Sequence, residues 1–538
     1  MERLAPDLSQ MVRTPLHDSH VTALRRAGSE RRYGAGEIVM DVGEPMDRFI
    51  YLVDGEIELM DPYTRERKGK FSLGPTQFVG EIAFLSGGVS SLPMRAAQDS
   101  LCIEVERETM LRLMSEIPEM SDIIITVFAA RRRRQVEDSD TSLKLIGADV
   151  DRNIRKIVDF AARNKIPYQT HDLGTPEAKA EAEACSVDLA RPLVVFGANR
   201  VIEEPTPAKL AEMLGLGIQV DHDEVVDVLI VGGGPAGVAA AVYAGAEGLS
   251  ALVVEDVAVG GQAGTSSRIE NYMGFPTGIS GADLVWRGEV QAMKFGTRFA
   301  MPCRVTGLER KEDGLFCATL DNGVEVCARA VVVATGVQYR RLPLDRLEEL
   351  EGAGIYYAAT ELEARYCRDT EVVIVGGGNS AGQAAMHLCR TAKHVHLLVR
   401  GPSLAASMSD YLLSRLEADP SITIHYHTQL KELRGEEALE QVVIRDGASG
   451  MDWELNAKAV FVMVGAAPNT EWLSGLVDLD DKGFVCTGEP IGAPSAYETS
   501  TPGIFAVGDV RAASVKRVAS AVGEGSVVIS KVWEHVNG

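Results

Sequence analysis

Two stretches decide the fold of this 538-residue chain: DVLIVGGGPAG at 227–237 and EVVIVGGGNSA at 371–381. Each is an apolar, β-branched run that enters three glycines and leaves as a helix of small residues. One GxGxxG-like turn is weak evidence, but two in strand–turn–helix context indicate a pair of βαβ nucleotide sites. The first glycine of each, Gly232 or Gly376, makes the tight turn. The second, Gly234 or Gly378, lets the backbone approach a pyrophosphate. The third position, Gly237 or Ala381, has to be small so that helix can pack on strand, while the helix N-terminus faces the phosphate charge.

The residue ending the next strand separates the two ligands. Glu255 ends the strand ALVVE, 23 residues after Gly232, and a carboxylate there accepts hydrogen bonds from ribose hydroxyls. The same step from Gly376 reaches Val399, with Arg400 next. No acid stands there, and a guanidinium suits a 2′-phosphate. The first site is therefore expected to take an adenosine with a free ribose. The second, residues 376–381 including Ser380 together with Arg400, is expected to take NADPH, with NADH as the alternative.

Composition bounds the rest. The length suggests three or four folded units at about 150 residues each. Hydrophobic residues at 46% and charged residues at 24% are the balance of a soluble globular protein. A formal charge of −23 repels polyphosphate backbones and anionic membranes, which argues against a nucleic-acid or membrane partner. No run approaches twenty apolar residues and the N-terminus lacks an apolar signal core, so the cytoplasm is the default. The eight cysteines, at 102, 185, 303, 317, 327, 367, 389 and 486, read as a sparse, unpaired set. None lies closer than ten residues to another, which excludes a CxxC dithiol and a CxxC-type zinc site, and no metal is expected.

Upstream, residues 20–115 read as short strands broken by Gly and Asp, a small β-roll. A helix follows over about 107–133, and Arg131–Arg134 is read as its basic end facing the acidic EDSD beyond. VEDSDTS at 136–142 reads as a polar linker. From LKLIGADVDRNIRKIVDFAARNKIPYQTHDL the chain runs strand–helix–strand, and PLVVFGANRVIEEPTPAKLAEMLGL adds a hairpin and a helix. That layout resembles a thioredoxin or glutaredoxin unit. The redox pair such a unit implies would fall at Gly147–Asp151, where there is no sulfur, so this copy is expected to be a redox-dead docking module.

VGGGPAG, GGQ at 260–262, IENYMGFP at 269–276, ATG at 334–336 and TPGIFAVGDV at 501–510 resemble, in that order, the motifs of the low-molecular-weight thioredoxin reductases, class II pyridine nucleotide-disulfide oxidoreductases. The resemblance implies a homodimeric FAD flavoprotein. It implies an FAD domain split over 225–342 and 465–538, with an NAD(P)H domain inserted at 343–464. Gly232, Gly234, Gly237, Glu255, Gly261, Gln262, Asn271, Ala334, Gly336, Gly508 and Asp509 would then line the FAD site, Asp509 accepting a hydrogen bond from the ribityl chain. Ahead of these lie a β-roll with C-terminal helices at 1–135 and the thioredoxin-like module at 140–217. The expected fold class is α/β: two Rossmann-like domains preceded by a β-roll and a small α/β module.

Two departures qualify the resemblance. Where the family carries its redox dithiol, this chain has Ala358, Ala359, Thr360 and Glu361, so both sulfurs are replaced, by Ala358 and Glu361. The family's NADPH arginine pair is here Arg400-Gly401. Thiol–disulfide exchange needs one thiolate to attack and another to resolve. The leading expectation is thus hydride transfer from NADPH to FAD and onward to a small-molecule or protein acceptor other than a CxxC dithiol. A flavin-based sensor with little turnover, and a disulfide reductase using Cys367 or Cys389, are the alternatives. The roll resembles a cyclic nucleotide-binding domain through GEIVMDVGEPMDRFIYLVDGEIEL and FVGEIAFLSGG, with the ribose pair at Gly80-Glu81. Ser90 stands where the phosphate arginine is expected and Arg95 is five residues late, which argues against cyclic nucleotide binding.

Overall fold

The computed structural model describes residues 15–538 apart from 63, 139–140, 148–150, 174, 185–191, 198–199, 203, 217–223, 267–268, 270, 348, 352, 358, 360–362, 365–366, 406, 437 and 474. Val225–Val231, whose register alternates into two apolar layers, is flanked by the parallel strands Ala251–Val254 and Glu325–Val333. Ile504–Ala506, from the far end of the chain, adds in parallel to Glu325–Val333. The two segments expected to share one split domain thus meet in one sheet. A second, all-parallel sheet runs in the order Ile355–Tyr356, Ala457–Val462, Glu371–Val375, His394–Leu398, Ile422–His425. The chain passes between the two sheets through Val337–Tyr339 and Ala466–Pro468, which pair with each other as an antiparallel ribbon.

Upstream, two four-stranded antiparallel sheets form the roll. Its core is continuous with the FAD-side helix Gly281–Lys294, because Val290 and Met293 bury into it and Trp286 and Phe299 pack against it. The module's sheet has the order Gln169–His171, Leu143–Ile146, Leu193–Phe196, Arg200–Ile202, the first pair parallel and the others antiparallel. The helix Arg152–Arg163 covers one face, burying Ile154, Ile157, Phe160 and Ala161. Asp151 caps it, accepting from the Asn153 and Ile154 amides. Of the Gly147–Asp151 turn, residues 148–150 lie outside the described residues.

Three expectations need correction. The helical stretch breaks at Pro118 and resumes as Pro118–Asp138, so Arg131–Arg134 is interior to a helix and VEDSDTS is helical at its start. Thr141 and Ser142, expected in a solvated linker, are buried. Arg131 donates to the carbonyls of Phe78 and Gly80, both at 2.8 Å, and Arg132 Nε donates to Glu81 Oε2 at 2.7 Å. The arginine run is a clamp on the 78–81 loop, drawn inward because a buried carboxylate there needs a cation. The third correction concerns the cysteines: Cys317 and Cys327 face each other on adjacent antiparallel strands and form a disulfide.

The clamp occupies the groups that the cyclic nucleotide resemblance reserves for a ligand. Glu81 is buried against Arg132, and Phe128 sits 2.6 Å from where a Cβ on Gly80 would stand. Ser90 is buried and donates to the Leu92 carbonyl, while Arg95 is bonded to Glu58 at 2.7 Å. Removing one partner of a buried ion pair strands the other charge. Arg132→Ala is therefore expected to lower unfolding free energy by about 3 kcal/mol, and adding Glu81→Gln to restore part of it. Urea unfolding of the two variants reads this; a loss that Glu81→Gln deepens would contradict the pairing.

Candidate active site

The two glycine loops open onto one cleft of about 3220 Å³. Its walls include Gly232, Gly234, Glu255, Gly261, Gln262, Ala334, Gly336, Gly508 and Asp509 on one side and Gly376, Gly378, Ser380 and Arg400 on the other. Gly237 and Ala381 stand behind the loops, in helix-on-strand contact: a Cβ on Gly237 would lie 1.9 Å from the Gly232 carbonyl oxygen, and Ala381 is fully buried. Asn271 departs from expectation. It is exposed, on a loop closed by the Ile269–Ile279 bridge, and is not among the residues lining the cleft. Ala358 and Glu361 lie outside the described residues.

The geometry fits a bound dinucleotide. Gly234 caps the helix Pro235–Ala246, with nothing within 4 Å of where its Cβ would be, so its backbone is open to the cleft. Gly261 approaches so closely that a Cβ there would lie 3.1 Å from the Gly234 Cα, bringing the GGQ turn against the phosphate loop. Gln262 Nε2 donates to the Val337 carbonyl and ties that turn to the ribbon. Glu255, 8% exposed, accepts from the Gly233 amide at 2.7 Å and the Val257 amide at 3.1 Å. Burial, reinforced by Asp256 and opposed by those two amides, pushes its carboxyl up to about 7.

Asp509 stands at the other end, its carboxyl raised by burial while Lys516 pulls it down. Its turn is held by a residue the sequence motifs do not contain. Glu524, on the C-terminal helix Val518–Asn537, accepts from the Gly508 amide and from Arg511, both at 2.7 Å. Its only sequence signal is an acid in an otherwise apolar helical stretch.

On the second loop, Ser407 Oγ donates to the Gly377 carbonyl at 2.6 Å and Asn379 Oδ1 accepts from the Ser409 amide at 2.9 Å. These bonds fix the turn at the start of the Asn379–Leu388 helix. Val399 is buried, and Arg400 is exposed on the cleft wall with no hydrogen bond or ion pair among the described residues. Cys367 and Cys389 are a poor fit to thiol catalysis here. Burial, with Glu363 adding, pushes Cys367 up to about 12, and burial with Asp419 pushes Cys389 up to about 11. Neither lines the cleft. Cys303 does, buried, with its amide donating to the Glu255 carbonyl oxygen at 2.8 Å.

Ribose hydroxyls donate hydrogen bonds, so they favour the ionised form of Glu255, and binding expels the proton this carboxyl holds below about 7. FAD affinity of the apoprotein is expected to rise with pH up to about 7 and then level off. In Glu255→Gln it should be weaker and lack that rise. Flavin titrations between pH 6 and 8 measure it; equal pH profiles for the two proteins would refute the assignment.

Residues 226–525 match the pyridine nucleotide-disulphide oxidoreductase family, and residues 30–116 match the cyclic nucleotide-binding domain. The chain is 36% identical to a thioredoxin reductase of Streptomyces clavuligerus, over 56% of this chain and 91% of that protein. It is 30% identical to an NADH dehydrogenase of Bacillus subtilis, over 69% of this chain and 71% of the relative. The solved thioredoxin reductase of Lactococcus lactis, in its FR conformation, aligns with a TM-score of 0.53 at 28% identity, covering 58% of this chain and 99% of that one. Such proteins use FAD and NAD(P)H, which suits a cleft with two glycine loops, a buried carboxylate beside one and an arginine beside the other. With its family match spanning most of that cleft, the chain belongs to the pyridine nucleotide-disulphide oxidoreductases and is thioredoxin reductase-like.

Proposed function

We propose that the chain is an FAD-dependent NADPH oxidoreductase whose electrons leave for a small molecule or protein without passing through a CxxC dithiol. The observation that carries this reading is the pairing of Arg400, uncommitted on the cleft wall, with a cysteine set in which no CxxC occurs. FAD, when bound, supplies the hydride-accepting and electron-storing chemistry. The chain's own work is positional. Gly232, Gly234 and Gly261 bring amide-bearing backbone to the phosphates, Glu255 holds the ribose, and Asp509 stands ready to accept a hydrogen bond from a hydroxyl of the ribityl chain. Gly376, Gly378 and Ser380 carry the second pyrophosphate, and Arg400 takes the 2′-phosphate through a charge-assisted bond.

Reduction of a disulfide by Cys367 or Cys389 is disfavoured, since thiols held near 12 and 11 give almost no thiolate at neutral pH. We read the roll as a structural unit rather than a cyclic nucleotide receptor, because Arg132 holds the Glu81 carboxylate. The working form we infer is a homodimer in the cytoplasm; no described helix is long and apolar enough to cross a membrane.

Anaerobic NADPH is expected to bleach the flavin band, and an added quinone or ferric acceptor to restore it. A flavin that stays oxidised would leave a sensor as the better account. Arg400→Ala is expected to raise KM for NADPH about tenfold to a hundredfold while leaving NADH unchanged, the pattern of a lost uniform phosphate contact. Cys367→Ser is expected to leave NADPH turnover with a disulfide dye unaltered, and an abolished rate would return that cysteine to the mechanism.

A further inference from the structure

The fused module is not hung beside the cleft but built into one end of it. Three contacts fix it there. Asn164 Nδ2 donates to the Val257 carbonyl at 3.5 Å, Lys165 ion-pairs with Asp283 while lying over the Trp286 ring, and Met301 N donates to the Leu216 carbonyl at 3.4 Å. Val257 is two residues beyond Glu255, and the Cys303 amide is bonded to the Glu255 carbonyl oxygen. The module is therefore anchored next to the point where the Glu255 carboxylate stands.

The helix Arg152–Arg163 turns its other edge to the space so enclosed. Arg155, Lys156, Asp159 and Arg163 line the same cleft as Glu255, Val257 and Cys303. Arg155 has no ion pair among the described residues, and its Nε is buried without any hydrogen-bond partner. An orphaned guanidinium donor shut away from water costs free energy until an acceptor reaches it. Arg48 Nε and Arg131 Nη2 are also buried without a partner, but both side chains are held by other bonds and neither lines the cleft, so among the described residues Arg155 is the one whose unmet donor is open to a ligand there.

We propose that the thioredoxin-fold module is a wall of the FAD site, closing its adenosine end, with the Arg155 guanidinium directed at an acceptor on the adenosine diphosphate half of the cofactor. This rests on the flavoprotein reading above. The module keeps a thioredoxin-like layout but serves by position: its sheet packs its own core, and the exposed edge of one helix is lent to a neighbour's cofactor. A cation there also offsets the phosphates in a chain of net charge −23.

The test uses full-length apoprotein stripped of flavin, titrated with FAD and with FMN, which lacks the adenosine, and with ADP as competitor. Arg155→Ala is expected to weaken FAD about tenfold, equivalent to about 1.4 kcal/mol, and to weaken ADP competition in step. FMN affinity should stay within about twofold of wild type, and Arg155→Lys should recover part of the loss. Lys165→Ala, which loosens the anchor without touching Arg155, should show the same selective loss of FAD. Wild-type FAD affinity in both alanine variants, or parallel loss of FAD and FMN, would overturn the proposal. Wild-type protein that takes up no flavin would instead bring down the flavoprotein reading, and this proposal with it.

Discussion

Everything in the cleft depends on how closely two backbones pass at the end of each parallel sheet. A Cβ on Gly232 would lie 2.4 Å from the carbonyl oxygen of Ala334, the residue just after the neighbouring strand Glu325–Val333. A Cβ on Gly376 would lie 2.4 Å from the carbonyl oxygen of Met463, the residue just after its neighbour Ala457–Val462. The two domains repeat the same crowding at the same topological place. Sheet order sets which carbonyl presses on the turn, the turn demands glycine, and glycine lets a phosphate approach the backbone beyond it, while the Gly233 amide is held by Glu255. Fold and ligand class are therefore fixed by one steric contact used twice.

The contact joins residues far apart in the chain, but the glycine turn it demands is a local signature, which is why it is legible. Strand, turn and helix lie within eleven residues, and each loop can be read without knowing what packs around it. Glu255 and Arg400 were legible for the same reason, as the ends of the next strands. What escaped the sequence is the set of groups that meet across long separations. Glu524 reaches the Gly508 amide from the helix after it, and nothing in the motif requires that acid. Arg132 meets Glu81 from 51 residues away, so the arginine run was read by its neighbours in sequence and not by its neighbours in space. Cys317 and Cys327 were counted as unpaired because their spacing matches no motif, yet a hairpin register places them side by side. Asn271 fails in the opposite sense: it belongs to a recognisable motif, but its loop leaves it in solvent.

The helix Gly281–Lys294 gathers the N-terminal half onto the FAD side. Its late residues Val290 and Met293 bury into the core of the roll, and its early Asp283 holds Lys165 of the module. Between them the half-buried Glu289 has its carboxyl pushed up to about 7 by desolvation and drawn back by Arg132 of the roll and Lys165 of the module. Three units thus share one helix, with apolar packing at one end and paired charge at the other. Neither upstream unit can leave without stranding a lysine, a carboxylate or an apolar surface.

The second dinucleotide domain is held differently. Its sheet strands all fall between 355 and 462, and the chain enters and leaves it through the single ribbon of Val337–Tyr339 with Ala466–Pro468. Where the module comes near this domain, burial raises the Asp159 carboxyl, Arg163 at 3.9 Å draws it back, and the Glu363 carboxylate adds to the rise. Roll, module and the first sheet are tied together by packed and paired groups, while the second dinucleotide domain joins them along the chain through a two-stranded ribbon with the build of a hinge. Hinges of this kind absorb a change of orientation in a few residues while the packed cores on either side stay intact. The adenosine end of the first site, walled by the module, belongs to the fixed body. The loop bearing Gly376, Ser380 and Arg400 stands beyond that ribbon, so a change of orientation there would displace the proposed donor's site and leave the proposed flavin site intact.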